Sequence, residues 1–375
     1  MKILIALGTR PEVIKLAPII LALRGRAEVR ICASGQHREM LAQALGAFSL
    51  VPDIQLDTMS PGRSLNILAS RQLSAFDEVF EQEKPDWVVV QGDTTTAFCA
   101  GLAAFHQGIR VAHVEAGLRT GDLASPFPEE ANRSLLGRIT TLHCAPTNAA
   151  QAALRIENVP ADAIVVTGNT VVDAIYQASE SWAEGKPETL SSELDDWTSA
   201  APYVLLTCHR RENFGDIMEN ICHMIARLCQ RHPDLHWIFP VHLNPAVSVP
   251  VRRILGQIPN LLLTDPVDYH TSLYLIKNAR LVISDSGGIQ EEAPTFGTPV
   301  VVMREHTERM EGVKAGFATL AGQSPERIEE AVDYWLTHPE AVDKLKQLPN
   351  PYGDGHAATR IADALLGLPV ETFCG

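Results

Sequence analysis

The stretch Leu281-Val282-Ile283-Ser284-Asp285-Ser286-Gly287-Gly288-Ile289-Gln290-Glu291-Glu292 decides the fold. A short apolar run with strand character breaks into Ser-Gly-Gly, and a helix begins at once. Such a turn leaves the first N–H groups of the helix without intrahelical partners. Together with the positive end of the helix dipole they can seat an anion. Glycine at 287 and 288 lets the backbone approach that anion closely. Gly288 and Glu292 stand four residues apart and share one helix face. A diphosphate at the helix tip would then have a carboxylate one turn on, ready to accept from ribose hydroxyls. The same stretch also fits a capped strand-to-helix turn that holds nothing, and its residues alone do not choose between the two.

Working outward, apolar runs of this kind recur with helical stretches between them. Strands are predicted near 2–7, 29–33, 87–91, 111–114, 142–145 and 164–167, then near 203–207, 236–241, 261–264, 281–284 and 299–303. Runs such as Trp87-Val88-Val89-Val90 and Pro299-Val300-Val301-Val302-Met303 do not alternate with polar residues. That pattern implies burial on both faces, as in a parallel sheet covered by helices. Strand–helix alternation throughout gives an α/β fold with right-handed crossovers. Residues 180–202 are polar, acidic and strand-free. The join between two Rossmann-like, doubly wound domains is therefore placed around 170–200, giving domains over 1–170 and 171–355.

Composition narrows the function classes. The chain of 375 residues is long enough for two domains with real cores. Its 46% hydrophobic and 20% charged content is that of a soluble globular protein. A formal net charge of −14 argues against a nucleic-acid binder, though not against one local cationic pocket. The 7 cysteines are scattered, odd in number and without a C-x-x-C pair, which suits a reducing compartment. No zinc spacing occurs, and neither a metal nor a cofactor is expected. The apolar run at 2–7 is too short for a signal peptide, and no later segment reaches the length of a membrane span. A cytoplasmic protein without membrane contact is expected. There is no G-x-G-x-x-G after a strand, no Walker A sequence and no G-x-S-x-G elbow, which disfavours NAD, P-loop and serine-esterase chemistry.

In open α/β sheets, ligands bind beyond the carboxyl ends of the strands. Here those ends read Gly8-Thr9-Arg10, Gly35-Gln36-His37-Arg38, Gly92-Asp93-Thr94 and Glu115-Ala116-Gly117-Leu118-Arg119 in the first half. In the second half they read His209-Arg210-Arg211-Glu212, His242, Asp265, Asp285-Ser286 and Arg304. One such end is ordinary loop polarity; the repetition in both halves suggests two sheets presenting their active edges to one cleft. Thr9-Arg10-Pro11-Glu12 has capping-box form with Pro in the first turn, which accounts for Thr9, Pro11 and Glu12. It does not account for Arg10, a cation at the positive end of a helix, where a bound anion would offset the charge. Lys15 lies about 140° round the helix from Arg10, so spacing does not put it in the same site. Pro126-Phe127-Pro128-Glu129-Glu130 leads into a helix with two carboxylates in its first turn. Favourable acid placement and catalysis explain them equally well.

Further motifs complete the set: His113-Val114-Glu115-Ala116-Gly117-Leu118-Arg119-Thr120, Thr167-Gly168-Asn169-Thr170, Pro240-Val241-His242-Leu243-Asn244-Pro245, Thr307-Glu308-Arg309 and Asn350-Pro351-Tyr352-Gly353-Asp354-Gly355. In order and spacing, over nearly the whole chain, these resemble the bacterial non-hydrolysing UDP-N-acetylglucosamine 2-epimerases. The resemblance implies a GT-B-like fold, two Rossmann-like domains facing across a cleft, with the last helix (about 356–375) packed back on the first domain, commonly in a homodimer. It implies interconversion of UDP-GlcNAc and UDP-ManNAc without a redox cofactor, by anti elimination of UDP to 2-acetamidoglucal and re-addition to the opposite face. Arg10, Lys15, His209, Ser286, Gly287, Gly288, Glu292 and Arg309 then match nucleotide and phosphate ligands. Asp93, Glu115, Glu129 and His209 match the catalytic group. Gln36, His37, Arg63, Arg210 and His242 match a site for a second UDP-GlcNAc acting as activator. Two positions depart from the family pattern: Met310 follows Arg309 where proline is usual, and Ser272 stands where many relatives have phenylalanine near the uracil. Base packing is then expected from Tyr269 or Leu273.

The chemistry asks for these residue types. Expelling UDP makes loss of the C2 proton feasible, and the departing charge needs fixed cations and dipoles. Taking a proton from one face and returning one to the other needs two groups or one mobile group. Glu115 and Glu129 are assigned to proton transfer, Asp93 to orienting or relaying, and His209 to the phosphate or sugar. A related UDP-diacetamido-uronic acid sugar as substrate and a hydrolysing 2-epimerase remain as alternatives. More distant ones are a GT-B glycosyltransferase and a non-catalytic sugar-nucleotide sensor.

Overall fold

The computed structural model describes residues 1–35, 38–58, 64–182 and 185–374, with 38–40 described for their backbone only. The chain forms two compact units, Met1–Gln177 with Tyr352–Gly375, and Ala178–Pro351. Strands in the first unit are β1 Lys2–Leu7, β2 Glu28–Ala33, β3 Ile54–Gln55, β4 Trp87–Gln91, β5 Arg110–Val114, β6 Leu142–Ala145 and β7 Ile164–Val166. Those of the second are β8 Tyr203–Thr207, β9 His236–Pro240, β10 Leu261–Thr264, β11 Leu281–Ser284, β12 Val300–Val302 and β13 Ala318–Leu320. Helices α1 Arg10–Leu23, α2 Arg38–Gly46, α3 Leu65–Glu83, α4 Thr95–His106, α5 Glu129–Ile139 and α6 Asn148–Ile156 alternate with the first series. After α7 Thr170–Glu180 come α8 Ser192–Ala200, α9 Asp216–Arg231, α10 Pro245–Leu255, α11 Tyr269–Asn278, α12 Gly287–Glu292, α13 Met310–Lys314, α14 Pro325–Thr337, α15 Pro339–Leu345 and α16 Ala357–Leu366. The division between units falls inside α7, a few residues beyond the 170/171 boundary read from the sequence.

Both sheets are parallel and share one winding. The first runs β3-β2-β1-β4-β5-β6-β7 and the second β10-β9-β8-β11-β12-β13. Each starts in its middle, winds outward one way, and then reverses past its first strand. That is the Rossmann-like order, with switch points between β1 and β4 and between β8 and β11. Two strands escape the sequence reading. β3 pairs through only two residues, Ile54 and Gln55, and β13 is a three-residue edge strand.

Burial explains the patterns. All five residues of β4 are buried, because helices cover both faces of a parallel sheet. Helix α9 turns Met218, Ile221, Cys222, Ile225, Leu228 and Cys229 inward at helical spacing. Helix α4 is lined with buried alanines, and a side chain at Gly101 would collide with Leu136 of α5, so the two helices pack closely. In the first unit α16 lies on α1, tied by an Arg26–Asp363 ion pair of 2.5 Å. Among the described residues no helix is long and apolar enough to cross a membrane, and no group of three metal-ligating side chains converges.

Candidate active site

Each switch point gathers polar groups that the strand ends carry. In the first unit, the turn after β1 and the turn after β4 are joined by one buried acid. Glu12 Oε2 accepts from the backbone N–H of Gly8 (3.0 Å) and Thr9 (2.7 Å), and its Oε1 accepts from the Thr94 hydroxyl (2.7 Å). Burial raises the Glu12 pKa despite these donors. Glu12 thus caps α1 and also fixes the loop that carries Asp93. Arg10, the first residue of α1, is exposed, and its side chain makes no hydrogen bond or ion pair among the described residues.

Lys15 points the other way, into the protein. Its ammonium lies 2.6 Å from Glu115 Oε1, and both side chains are nearly enclosed. Glu115 follows β5 with φ of 64°, the left-handed region that non-glycine residues rarely occupy. The side-chain amide of Gln91, which ends β4, donates to the other carboxylate oxygen. Asp93 accepts from Arg133 Nη1 of α5 at 3.1 Å, and Asn132 holds the Asp93 carbonyl at 2.9 Å.

The structure separates the two acids at the start of α5. Glu130 is buried and accepts from the backbone of Thr120 and Gly121 (3.1 Å each) and from Arg133 Nε at 2.6 Å. Burial works against its charge, but those N–H groups and Arg133 outweigh it and lower the pKa. Glu129 is half-buried and, among the described residues, makes no ion pair or side-chain hydrogen bond. Behind the site, His113 bonds the Gly92 carbonyl through Nε2 at 2.8 Å. Burial first, with the nearby cations, pushes the His113 imidazole down to about 3.

In the second unit Asp285 organises the switch point. Its carboxylate is fully buried and accepts from the backbone of His209 (3.0 Å) and Arg210 (2.9 Å) and from Asn213 Nδ2 (2.9 Å). The His209 ring stands 3.3 Å from the same carboxylate through Nδ1, stays 42% exposed, and lies 6.0 Å from the His242 ring. Ser286 stands at the N-cap position of α12 without a side-chain capping bond, and Arg309 covers the turn: a Cβ on Gly287 would sit 2.9 Å from its Cζ. Arg309 is itself held by Glu291 at 2.9 Å and Glu308 at 3.1 Å. Burial would raise the Glu308 pKa, but Arg309, Arg304 and Arg210 hold it at about 2. Glu292 is buried one turn into α12, near enough to Tyr269 to affect its phenol electrostatically. Leu273 has no exposed surface, whereas Tyr269 keeps 8%.

Of the residues read as sites, Lys15 and Glu115 touch directly, Asp93 is held by Asn132 and Arg133 of α5, and Glu129 is the first residue of that same helix. His209, Ser286, Gly287 and Arg309 share the second switch point. Gln36, His37 and Arg63 lie outside the described residues. Sequence reading left Gln91, Arg133, Glu130, Asp285 and Glu308 unassigned. Arg133 stood within signal range, one helical turn from Glu129 and Glu130, and Asp285 directly precedes the Ser-Gly-Gly turn.

Two Rossmann-like units, one switch point set with carboxylates and the other with glycine and arginine, define a protein of the GT-B-like class. Known proteins narrow this. The family model for UDP-N-acetylglucosamine 2-epimerase matches residues 21–366. The UDP-N-acetylglucosamine 2-epimerase of Escherichia coli strain K12 is 46% identical over 376 residues, covering 97% of this chain and 98% of its own. The crystal structure of the Neisseria meningitidis UDP-GlcNAc 2-epimerase bound to UDP-GlcNAc aligns with a TM-score of 0.89 at 40% identity, covering 98% of this chain and 100% of that one. That of Methanocaldococcus jannaschii in complex with UDP-GlcNAc and UDP aligns with a TM-score of 0.82 at 34% identity, covering 98% and 100%. The chain belongs to the UDP-N-acetylglucosamine 2-epimerase family.

Proposed function

We propose that this protein interconverts UDP-GlcNAc and UDP-ManNAc without hydrolysis, by anti elimination of UDP to 2-acetamidoglucal and return of UDP to the opposite face. The observation that carries the mechanism is the contrast between a clamped acid and an unclaimed one. Glu115 is buried against Lys15, while Glu129, without a partner among the described residues, is the acid with freedom to move. One fixed and one mobile carboxylate suit removal of a proton from one face and delivery to the other. Asp93, held by Arg133, orients or relays, and His209 serves the phosphate or sugar.

The diphosphate is assigned to Ser286, Gly287 and Gly288 at the start of α12, with Arg309 over the turn and Arg10 as a further cation; Lys15, read with them from the sequence, is instead engaged by Glu115. Glu292 is assigned to the ribose. N–H dipoles and cations of this kind offset the departing charge. Arg210 and His242, with Gln36, His37 and Arg63, are assigned to a second UDP-GlcNAc that activates the enzyme. We assign a homodimer and a cytoplasmic compartment. Six of the cysteines are buried thiols and Cys374 is exposed, all unpaired, in keeping with reducing surroundings.

Proton NMR of UDP-GlcNAc with the protein in D₂O tests the reading. UDP-ManNAc deuterated at C2 is expected, with UDP retained in the sugar nucleotide. Free ManNAc and UDP instead would mark a hydrolysing enzyme. Turnover of only a diacetamido-uronic acid sugar would move the assignment to that substrate. Tight binding with no C2 exchange would reject catalysis altogether.

A further inference from the structure

Gln91 ends β4, opposite Val114 in the register with β5, and Glu115 comes next along the chain. The left-handed turn at Glu115 directs its carboxylate back to two donors from two different elements. Lys15 of α1 approaches Oε1 at 2.6 Å, and the Gln91 amide donates to Oε2. Gln91, Lys15 and Glu115 are 4%, 7% and 8% exposed, so water does little to hold this group.

A single donor on one oxygen leaves a carboxylate able to turn about its last bond. A second donor on the other oxygen removes that rotation. The identity of the second donor also matters. Another cation would strengthen the hold but weaken the acid as a base, because opposite charge favours the ionised form. A neutral amide fixes the plane without adding positive charge. We propose that Gln91 is a positioning residue for epimerisation, holding the plane of the Glu115 carboxylate while Lys15 sets its charge. This rests on the role of Glu115 in proton transfer argued above.

Two substitutions test it, with wild type as control. Gln91→Met keeps the length and removes the donor. Its expected effect is a roughly 10- to 100-fold loss in kcat and in C2–H exchange, the range of a lost hydrogen bond to a charged group. KM and the affinity for UDP should stay within about 2-fold, because the interaction belongs to the transition state. Gln91→Glu keeps the length but places two carboxyls face to face beside Lys15. The introduced carboxyl can donate only while protonated, and a facing pair shares a proton. Its loss relative to wild type should therefore shrink as pH is lowered from about 8 to about 6. A structural role would not produce that recovery.

Gln91→Met at wild-type rate overturns the proposal, as does a loss confined to KM, to UDP affinity or to the unfolded fraction seen in thermal melts. Should Gln91→Met fail to fold, Gln91→Glu decides: a loss that does not vary with pH overturns it. Wild type without C2–H exchange instead defeats the proposed function and is thereby distinguished from failure of the Gln91 assignment.

Discussion

Glu129 and Glu130 differ by one position in sequence and by their whole surroundings in the fold. The approach through Pro126 and Pro128 puts both in the first turn of α5, so spacing treats them alike. The distinction comes from the Thr120–Gly121 backbone, ten and nine residues earlier, which claims Glu130, and from Arg133, which ties Glu130 to Asp93. Substitution should separate them. Glu130→Ala strands Arg133 without its closest acid and should lower stability by roughly 3–5 kcal/mol in denaturant melts. Glu129→Gln should leave those melts unchanged and reduce C2–H exchange by about 10²-fold or more. Equal effects on stability would contradict the division of roles. At the Lys15–Glu115 pair, Lys15→Met removes the cation that faces a buried carboxylate and should cost roughly 3–5 kcal/mol. Lys15→Met with Glu115→Gln should regain most of that, a coupling that a double-mutant cycle reads directly.

At the scale of elements, the Ser286–Gly287 turn is built around the guanidinium of Arg309. A methyl at Gly287 would meet Arg309 Cζ at 2.9 Å and Nε at 3.1 Å. The obstacle is the far end of a flexible side chain, so Gly287→Ala should displace Arg309 and leave the melting temperature nearly unchanged. UDP affinity should fall by about 10-fold, as befits a lost charge-assisted contact of roughly 1.5–3 kcal/mol, measured by calorimetry. Unchanged affinity would mean that Arg309 does not serve this turn. The turn itself was legible, because an apolar run, two glycines and a helix start follow in succession, but its residues alone did not say whether it holds an anion. β3 and β13 were not legible: β3 has only two residues, and β13, Ala318-Thr319-Leu320, is a partly exposed edge strand without a continuous apolar run. Nor could spacing reveal that Arg309 would be tied to Glu291 as well as to its neighbour Glu308, because the Glu291 contact joins separate segments of the chain.

Across the whole molecule, the C-terminal segment completes the first unit. Asp173 of α7 is buried and accepts from the backbone N–H of Ala357 (3.2 Å) and Ala358 (2.8 Å), capping α16. Arg360 of α16 pairs with Asp354 at 2.6 Å and reaches the Thr167 carbonyl. Burial raises the Asp173 carboxyl to about 6 against these N–H groups. From its ordinary 3.8 up to about 6, rising pH therefore removes stability through Asp173. The buried histidines act with the opposite sign. His113 and His143 are pushed to about 3 and about 4 from 6.5, so their contribution is present above 6.5 and lost on acidification. Two histidines outweigh one aspartate, so the melting temperature should fall as pH drops from about 6.5 to about 4. His143→Leu should flatten that slope; an unaltered slope would place the titration elsewhere.

The doubled Rossmann-like architecture itself could be read from buried strands that carry no polar alternation and from polar groups recurring where they end. The central claim is that UDP leaves and returns, rather than C2 being inverted with the glycosidic oxygen still attached. UDP-GlcNAc labelled with ¹⁸O at the oxygen joining C1 to the β-phosphorus tests this directly by ³¹P NMR. Cleavage frees that oxygen to rotate among the β-phosphate positions before UDP returns. The expected result is migration of label into the non-bridging positions of recovered UDP-GlcNAc, at a rate comparable to epimerisation. UDP-ManNAc formed with all of the label still in the bridge would contradict it.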